Sequence, residues 1–500
     1  MAVSNALKTS GAYESLIQTI LTYENRPKAT IEQARGTQES FKSVLSELDS
    51  TLSALHTLVK SFTEPITNPF AARIAQVPDG SPFSITTTGS AAYGSHSVIV
   101  DRLATTDQRV SKQLSRNGND LRASFDAVGT QTFTLSVASP TAENADNRVD
   151  VSVSVTATGT TNEEILTEID AAIAAALDDA VTAGTIRSSE RPAVSMARET
   201  SDTIRLSMRA GGTGYQSRLQ MTDTTTPQGG QPTFLDLLEI NANNVVGTST
   251  SGGMIVDVGT SETDSELNAL LEVDGLLLYR SSNQIDDAIP GLSISLNGIS
   301  DFPTDFVVDA DSESIVGNLD DFIEKYNAAI SMIGSQSQID GDTGFRGVLA
   351  NDTSFTGLRF SMRSSVSRGV TGQSLGAPSF LGDIGIKVNN DGTLEISDRD
   401  KLIDAVKKDS GAVQSFFGGD DGVAKRLETT LESFVGSSGL IKARKNTVDD
   451  RIDRLNDRIT AFDDRMSRRE TQLRAEYARL EQALSQFQSQ QQWVSAVIGG

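Results

Sequence analysis

The chain of 500 residues has no cysteine, which excludes disulfide staples and thiolate metal sites. Histidine occurs twice, at His56 and His96, leaving almost no imidazole for acid–base chemistry or metal ligation. Aromatic side chains are scarce at 5%, with a single tryptophan, Trp493. Abundant Ser and Thr suit a solvated β-rich surface better than a deep pocket. Positive charge is also short: 43 Lys and Arg against 66 Asp and Glu give a net charge of −23. Phosphate-bearing partners need clustered cations, so neither nucleic acid nor an anionic membrane surface is expected. No run approaches the roughly 18 apolar residues needed to span a bilayer. Met1 to Ser10 holds one Lys and no apolar stretch, so a cleaved secretory signal is not expected. A cytosolic protein and one exported unfolded through a dedicated channel would share these features, and composition leaves both open.

What the sequence does contain is periodicity at its two ends. Phe41, Leu48, Leu55 and Phe62 recur at sevens, with Leu45, Leu52 and Val59 between them. Alternating steps of four and three are the seam of a coiled coil, and Pro65 and Pro69 end it. Upstream, Tyr13 to Tyr23 reads as a short amphipathic helix broken near Pro27. The C-terminal end carries a longer seam, Ile452, Ile459, Met466, Leu473, Leu480, Phe487 and Val494. Its companion position is apolar at Ile441, Val448, Leu455 and Phe462, then polar at Arg469, Glu476 and Gln490. The early half should bury a full seam and the later half only a thin stripe. No Gly or Pro interrupts Ile441 to Ile498.

The middle alternates instead. Phe133, Leu135 and Val137, then Val149, Val151, Val153 and Val155, follow the period of a strand with one wet face. Ile204, Leu206 and Met208 repeat the pattern, as do Leu292, Ile294 and Leu296. Two helical stretches interrupt it, Thr161 to Val181 with Asn162 as cap, and Ser314 to Ile333. Polar linkers are expected at Ala142 to Asn147, Thr222 to Gln231 and Asn241 to Gly253. The fold class is therefore α+β: terminal helices form a coiled-coil stalk, with β-rich head domains inserted between them.

Candidate chemistry is thin. Gly211, Gly212 and Gly214 could cradle a phosphate only if a helix opened behind them, and Tyr215 to Met221 reads as a strand. Asp340, Asp342 and Asp352 lack the spacing and final Glu of a calcium loop. Asn389 to Gly392 lies between two short alternating runs and reads as a hairpin turn with positive φ at both Asp391 and Gly392. Neither histidine has a triad-like neighbourhood in sequence. No catalytic residue, cofactor or metal is expected.

The stretch Val273-Asp274-Gly275, Arg280-Ser281-Ser282-Asn283, Ile285, Asp286 and Ile289-Pro290-Gly291 resembles the signature of the flagellar filament-capping family, also called hook-associated protein 2. Asp321-Phe322-Ile323, Tyr326-Asn327, Gly347-Val348-Leu349, Asn351-Asp352, Ile384-Gly385-Ile386 and Asp391 to Leu394 follow in the family's order. Ser10-Gly11, Ser15-Leu16-Ile17, Glu24 and Pro27 resemble its opening helix, and Phe133 to Ala172 the internal repeat of flagellar axial proteins. The resemblance implies a secreted protein at the distal filament tip. It implies a homo-oligomeric ring, with flagellin, hook-filament junction proteins, the export apparatus and a cytoplasmic export chaperone as partners. Another axial or junction protein, or a coiled-coil-stalked adhesin binding host surface, stays open beside it. The expected division is 1–40 and 470–500 as assembly helices mobile when free, and 41–82 with 312–469 as the stalk. Two β-rich head subdomains follow, 83–110 with 269–311, and 111–268.

Overall fold

The computed structural model describes residues 11–65, 68–139, 147–342, 344 and 346–498. The first ten residues of the expected N-terminal segment and most of the 142–147 linker lie outside the described residues. The chain divides into two compact units, Met1–Ala72 with Ser312–Gly500, and Arg73–Asp311. Each is an α+β or β-rich body with its own core.

The first unit opens with helices Gly11–Glu24 and Arg26–Thr63, parted at Asn25. Pro27 sits in the first turn of the second helix, where its missing N–H is no loss. That helix stops at Glu64, which is extended because the Pro65 ring disfavours helical backbone before it. Its buried stripe packs against three helices: Ser312–Ser337, Val423–Val435 and Leu440–Ile498. Phe62, Phe70, Phe322 and Phe417 meet at ring separations of 5.1 to 6.0 Å and fill the centre. Beside them Tyr326 is wholly enclosed, and burial pushes its phenol up. The next residue, Asn327, fixes the two-stranded hairpin Ile386–Val388 and Leu394–Ile396: it donates to the Leu394 carbonyl at 2.8 Å and accepts from the Leu394 N–H at 2.7 Å.

That hairpin forms where the sequence places it, but its turn is different. Asn389 N–H donates to the Thr393 carbonyl and Gly392 N–H to that of Asn389, so the loop is wider than two residues. Only Gly392 there has positive φ, at 94°. Asp391 instead caps the loop, accepting from the Thr393 N–H and hydroxyl.

In the second unit a five-stranded antiparallel sheet runs in the order Arg73–Gln76, Thr304–Ala310, Gly94–Arg102, Ala269–Val273, Leu276–Arg280. One face buries Val98, Val100, Leu271 and Phe306 against Ile294 and Phe83 of a three-stranded sheet. The two-residue turn expected at Asp391-Gly392 occurs here at Asp274-Gly275, with φ of 51° and 82°. Both central residues of such a turn are left-handed, which its twist requires. Because Arg73–Gln76 pairs into this sheet, residues 73–82 belong with the β-rich unit rather than with 41–72.

A second core gathers Phe133, Leu135, Val153, Val155 and Leu206 with the helix Asn162–Thr182. The cap of that helix is Thr161, one residue before the expected Asn162: its hydroxyl accepts from the Glu164 N–H, and Glu164 reaches back to the Thr161 N–H. Asn162 is buried, and its amide ties Ser115, Asp120 and Leu121 to the helix start. Thr106–Val110 pairs with Thr203–Thr213, so it joins this second core group and not the sandwich. Tyr215 to Met221 begins as a single helical turn, Tyr215–Ser217, before the strand Gln220–Asp223.

Candidate assembly site

The helices Arg26–Thr63 and Leu440–Ile498 share the largest helix–helix contact of the first unit, running antiparallel. Leu45, Leu48, Leu52, Leu55, Val59 and Phe62 are all fully buried, and Phe41 is half-buried. On the terminal helix the buried positions are Ile441, Val448, Leu455, Phe462 and Leu473, of which only Ile441 is sealed completely. The heptad row Ile452, Ile459 and Met466 is only half-buried, because it lies on the flank of the contact rather than its centre. The same row is open further on: Leu480 is 48%, Phe487 71% and Val494 45% exposed.

A polar ladder flanks the pairing. Lys28 reaches Asp463 at 2.6 Å, Arg35 donates to Asn456 at 3.5 Å, Lys42 reaches Asp449 at 2.6 Å and Asp49 meets Lys445 at 3.4 Å. Residues seven apart on one helix thus meet a descending series on the other. Each such exposed contact contributes little by itself, but a slip in register breaks them together. The hydrogen bond to the Asp463 carboxylate raises the Lys28 ammonium pKa and outweighs the opposing effect of desolvation. The sequence reading overlooked this ladder, although its charges recur at heptad spacing.

Nearer the termini, Arg474 forks onto Glu14 at 2.6 and 2.8 Å and onto Glu470 at 3.0 Å. Those hydrogen bonds to Glu14 and then Glu470 lift its guanidinium above the usual range. Arg469 reaches Glu24 at 3.3 Å, and the Tyr13 and Tyr477 rings lie 5.4 Å apart. Ile17 and Leu473 are both buried. The opening helix therefore lies over the stretch Arg469 to Tyr477, the part of the seam whose companion positions turn polar. Past Tyr477 the stripe is bare: Leu484 is 44% exposed, alongside Leu480 and Phe487.

The other candidates resolve into structure. Gly211 and Gly212 lie inside the strand Thr203–Thr213, and a Cβ on Gly211 would stand 2.5 Å from the Glu190 carbonyl oxygen. Asp352 caps the helix Thr353–Ser367 by accepting from the Ser354 N–H. Asp340 accepts from the Asp342 N–H in a turn. Among the described residues no cluster of three or more metal-ligating side chains occurs. His56 meets Glu432 at 3.0 Å on the bundle surface. His96 meets Asp274 at 2.7 Å, a pairing that sequence distance concealed. Burial opposes the Asp274 charge, but the His96 ring and the Ser97 N–H outweigh it and hold the carboxyl below its ordinary value. The pair ties the Asp274-Gly275 turn to the strand Gly94–Arg102. Among the described residues no helix is long and apolar enough to cross a membrane.

Residues 11–107 match the family described as flagellar hook-associated protein 2 N-terminus, and residues 267–489 its C-terminus. The A-type flagellar hook-associated protein 2 of Pseudomonas aeruginosa is 25% identical over 492 residues, covering 95% of this chain and 92% of that protein. The polar flagellar hook-associated protein 2 of Vibrio parahaemolyticus is 28% identical over 246 residues, 48% of this chain and 36% of that protein. The match to the Vibrio cholerae relative likewise spans 37% of its length, so the chain covers little more than a third of these two relatives. In fold, the D1-D2-D3 domains of the flagellar cap protein FliD from Escherichia coli superpose with a TM-score of 0.56 at 22% identity, covering 81% of this chain and 99% of that one. The chain belongs to the flagellar hook-associated protein 2 family.

Proposed function

We propose that the protein is the structural cap at the distal tip of the bacterial flagellar filament, promoting insertion of exported flagellin and preventing its loss. It acts as a non-catalytic, secreted ring of identical subunits. It meets flagellin and hook-filament junction proteins, after passing the export apparatus with a cytoplasmic chaperone. The observation that carries this reading is the bare stripe Leu480, Leu484, Phe487 and Val494 at the end of a helix whose earlier heptads are buried. Covering a Leu or Phe side chain contributes about 1.5–3 kcal/mol, so a partner helix completing the seam gains several such terms at once. Flagellin helices or neighbouring subunits are partners of the right chemistry, and their arrival orders the last turns. The test is a chain ending at Tyr477. It should keep its cooperative unfolding transition yet leave filaments uncapped, with flagellin escaping into the medium. Normal capping by the shortened chain would refute the reading.

A further inference from the structure

The strand Leu276–Arg280 is an outer edge of its sheet: among the described residues its one strand partner is Ala269–Val273. The two-residue turn decides which backbone groups face inward. Leu276, Leu278 and Arg280 stand opposite Val273, Leu271 and Ala269, the alternate pairs that exchange hydrogen bonds beside such a turn. The N–H and C=O of Leu277 and Tyr279 therefore point away from the sheet. Leu276 to Tyr279 carries no charge and no proline, and Leu276 and Leu277 are 65% and 48% exposed. An apolar edge of this kind is a template for a further strand.

One outward group is already occupied. Arg280 Nη1 donates to the Tyr279 carbonyl at 2.9 Å, folding the guanidinium back along the edge. Its Nε donates to Asp287 Oδ1 at 3.0 Å, which holds it there. A strand arriving at this edge must take the carbonyl from the guanidinium and lie beside, or desolvate, an ion pair. We propose that Arg280 and Asp287 form an edge guard that keeps Leu276–Arg280 from pairing with a strand of a second copy. This inference stands apart from the capping role, since it concerns a contact the assembled protein must avoid.

The test is amide hydrogen exchange at Leu277 and Tyr279 in the full chain, at low and high protein concentration, alongside sedimentation. In the parent both amides exchange quickly at a rate that concentration does not change. In Arg280→Ala and in Asp287→Asn they become protected as concentration rises. Self-association through this edge tightens about tenfold, the worth of one freed backbone hydrogen bond. Adding Leu277→Lys to either variant reverses both effects. Asp287→Asn keeps the arginine stem, so it separates loss of the guard from loss of packing. Amides that stay unprotected in both variants at every concentration, or that are already protected in the parent, would overturn the proposal.

Discussion

Two stretches of one helix carry the same apolar spacing and meet opposite fates. Between Ile441 and Phe462 the terminal helix is covered by Arg26–Thr63, while from Leu480 to Val494 its large apolar side chains are exposed. Spacing reports which face of a helix is apolar; it does not report what covers that face. The early stretch belongs to the chain's own core and the late stretch, on the proposed function, is left for a partner, so substitutions in the two should separate stability from assembly.

The largest effect is expected in the covered stretch. Leu48 is fully buried, and Leu48→Ala should cost about 2–5 kcal/mol in chemical denaturation, because a cavity replaces packed methyl groups. Phe462→Ala, on the facing helix, should also destabilise, although less, since its site borders solvent. Phe487→Ala should change stability by no more than about 0.5 kcal/mol while weakening capping, scored as flagellin released into the medium. A loss of stability as large as that of Leu48→Ala would erase the distinction between the stretches.

The ladder offers a finer test. A double-mutant cycle on Lys42 and Asp449, both partly exposed, should return a coupling of about 0.2–1 kcal/mol that fades with added salt. The smallest effect lies away from the helix seam, at Asp421. Hydrogen bonds from the Thr371 hydroxyl and N–H, with Arg426 and Arg368 nearby, hold its carboxyl at about 2. Its folded value is depressed, so its contribution is complete above the ordinary value of 3.8 and is lost as pH falls toward 2. Asp421→Asn should flatten that part of the acid-unfolding curve and leave the neutral-pH contrast between the two helix stretches unchanged.

The sequence made the helical ends and the alternating strands readable, because each rests on local periodicity. Position along a periodic row was readable too, but its depth was not. Ile452, Ile459 and Met466 read as seam positions alongside Val448, Leu455 and Phe462, and the structure buries the second set and leaves the first half-buried. The choice depends on where the partner helix lies, which local spacing does not encode. The two Asp-Gly steps teach the same lesson: Asp274-Gly275 makes the tight turn and Asp391-Gly392 a wider loop, although both sit between short strands. The packing of the opening helix against the terminal one and the forked bond from Arg474 to Glu14 join residues more than 400 positions apart in the chain, beyond any local signal.

The most direct test of the central claim is hydrogen exchange along the terminal helix, in the free protein and on capped filaments. Amides from Ile441 to Phe462 should be protected in both states, while those from Leu480 to Val494 should exchange quickly when free and become protected on the filament. Equal protection of the late stretch in both states would contradict that claim.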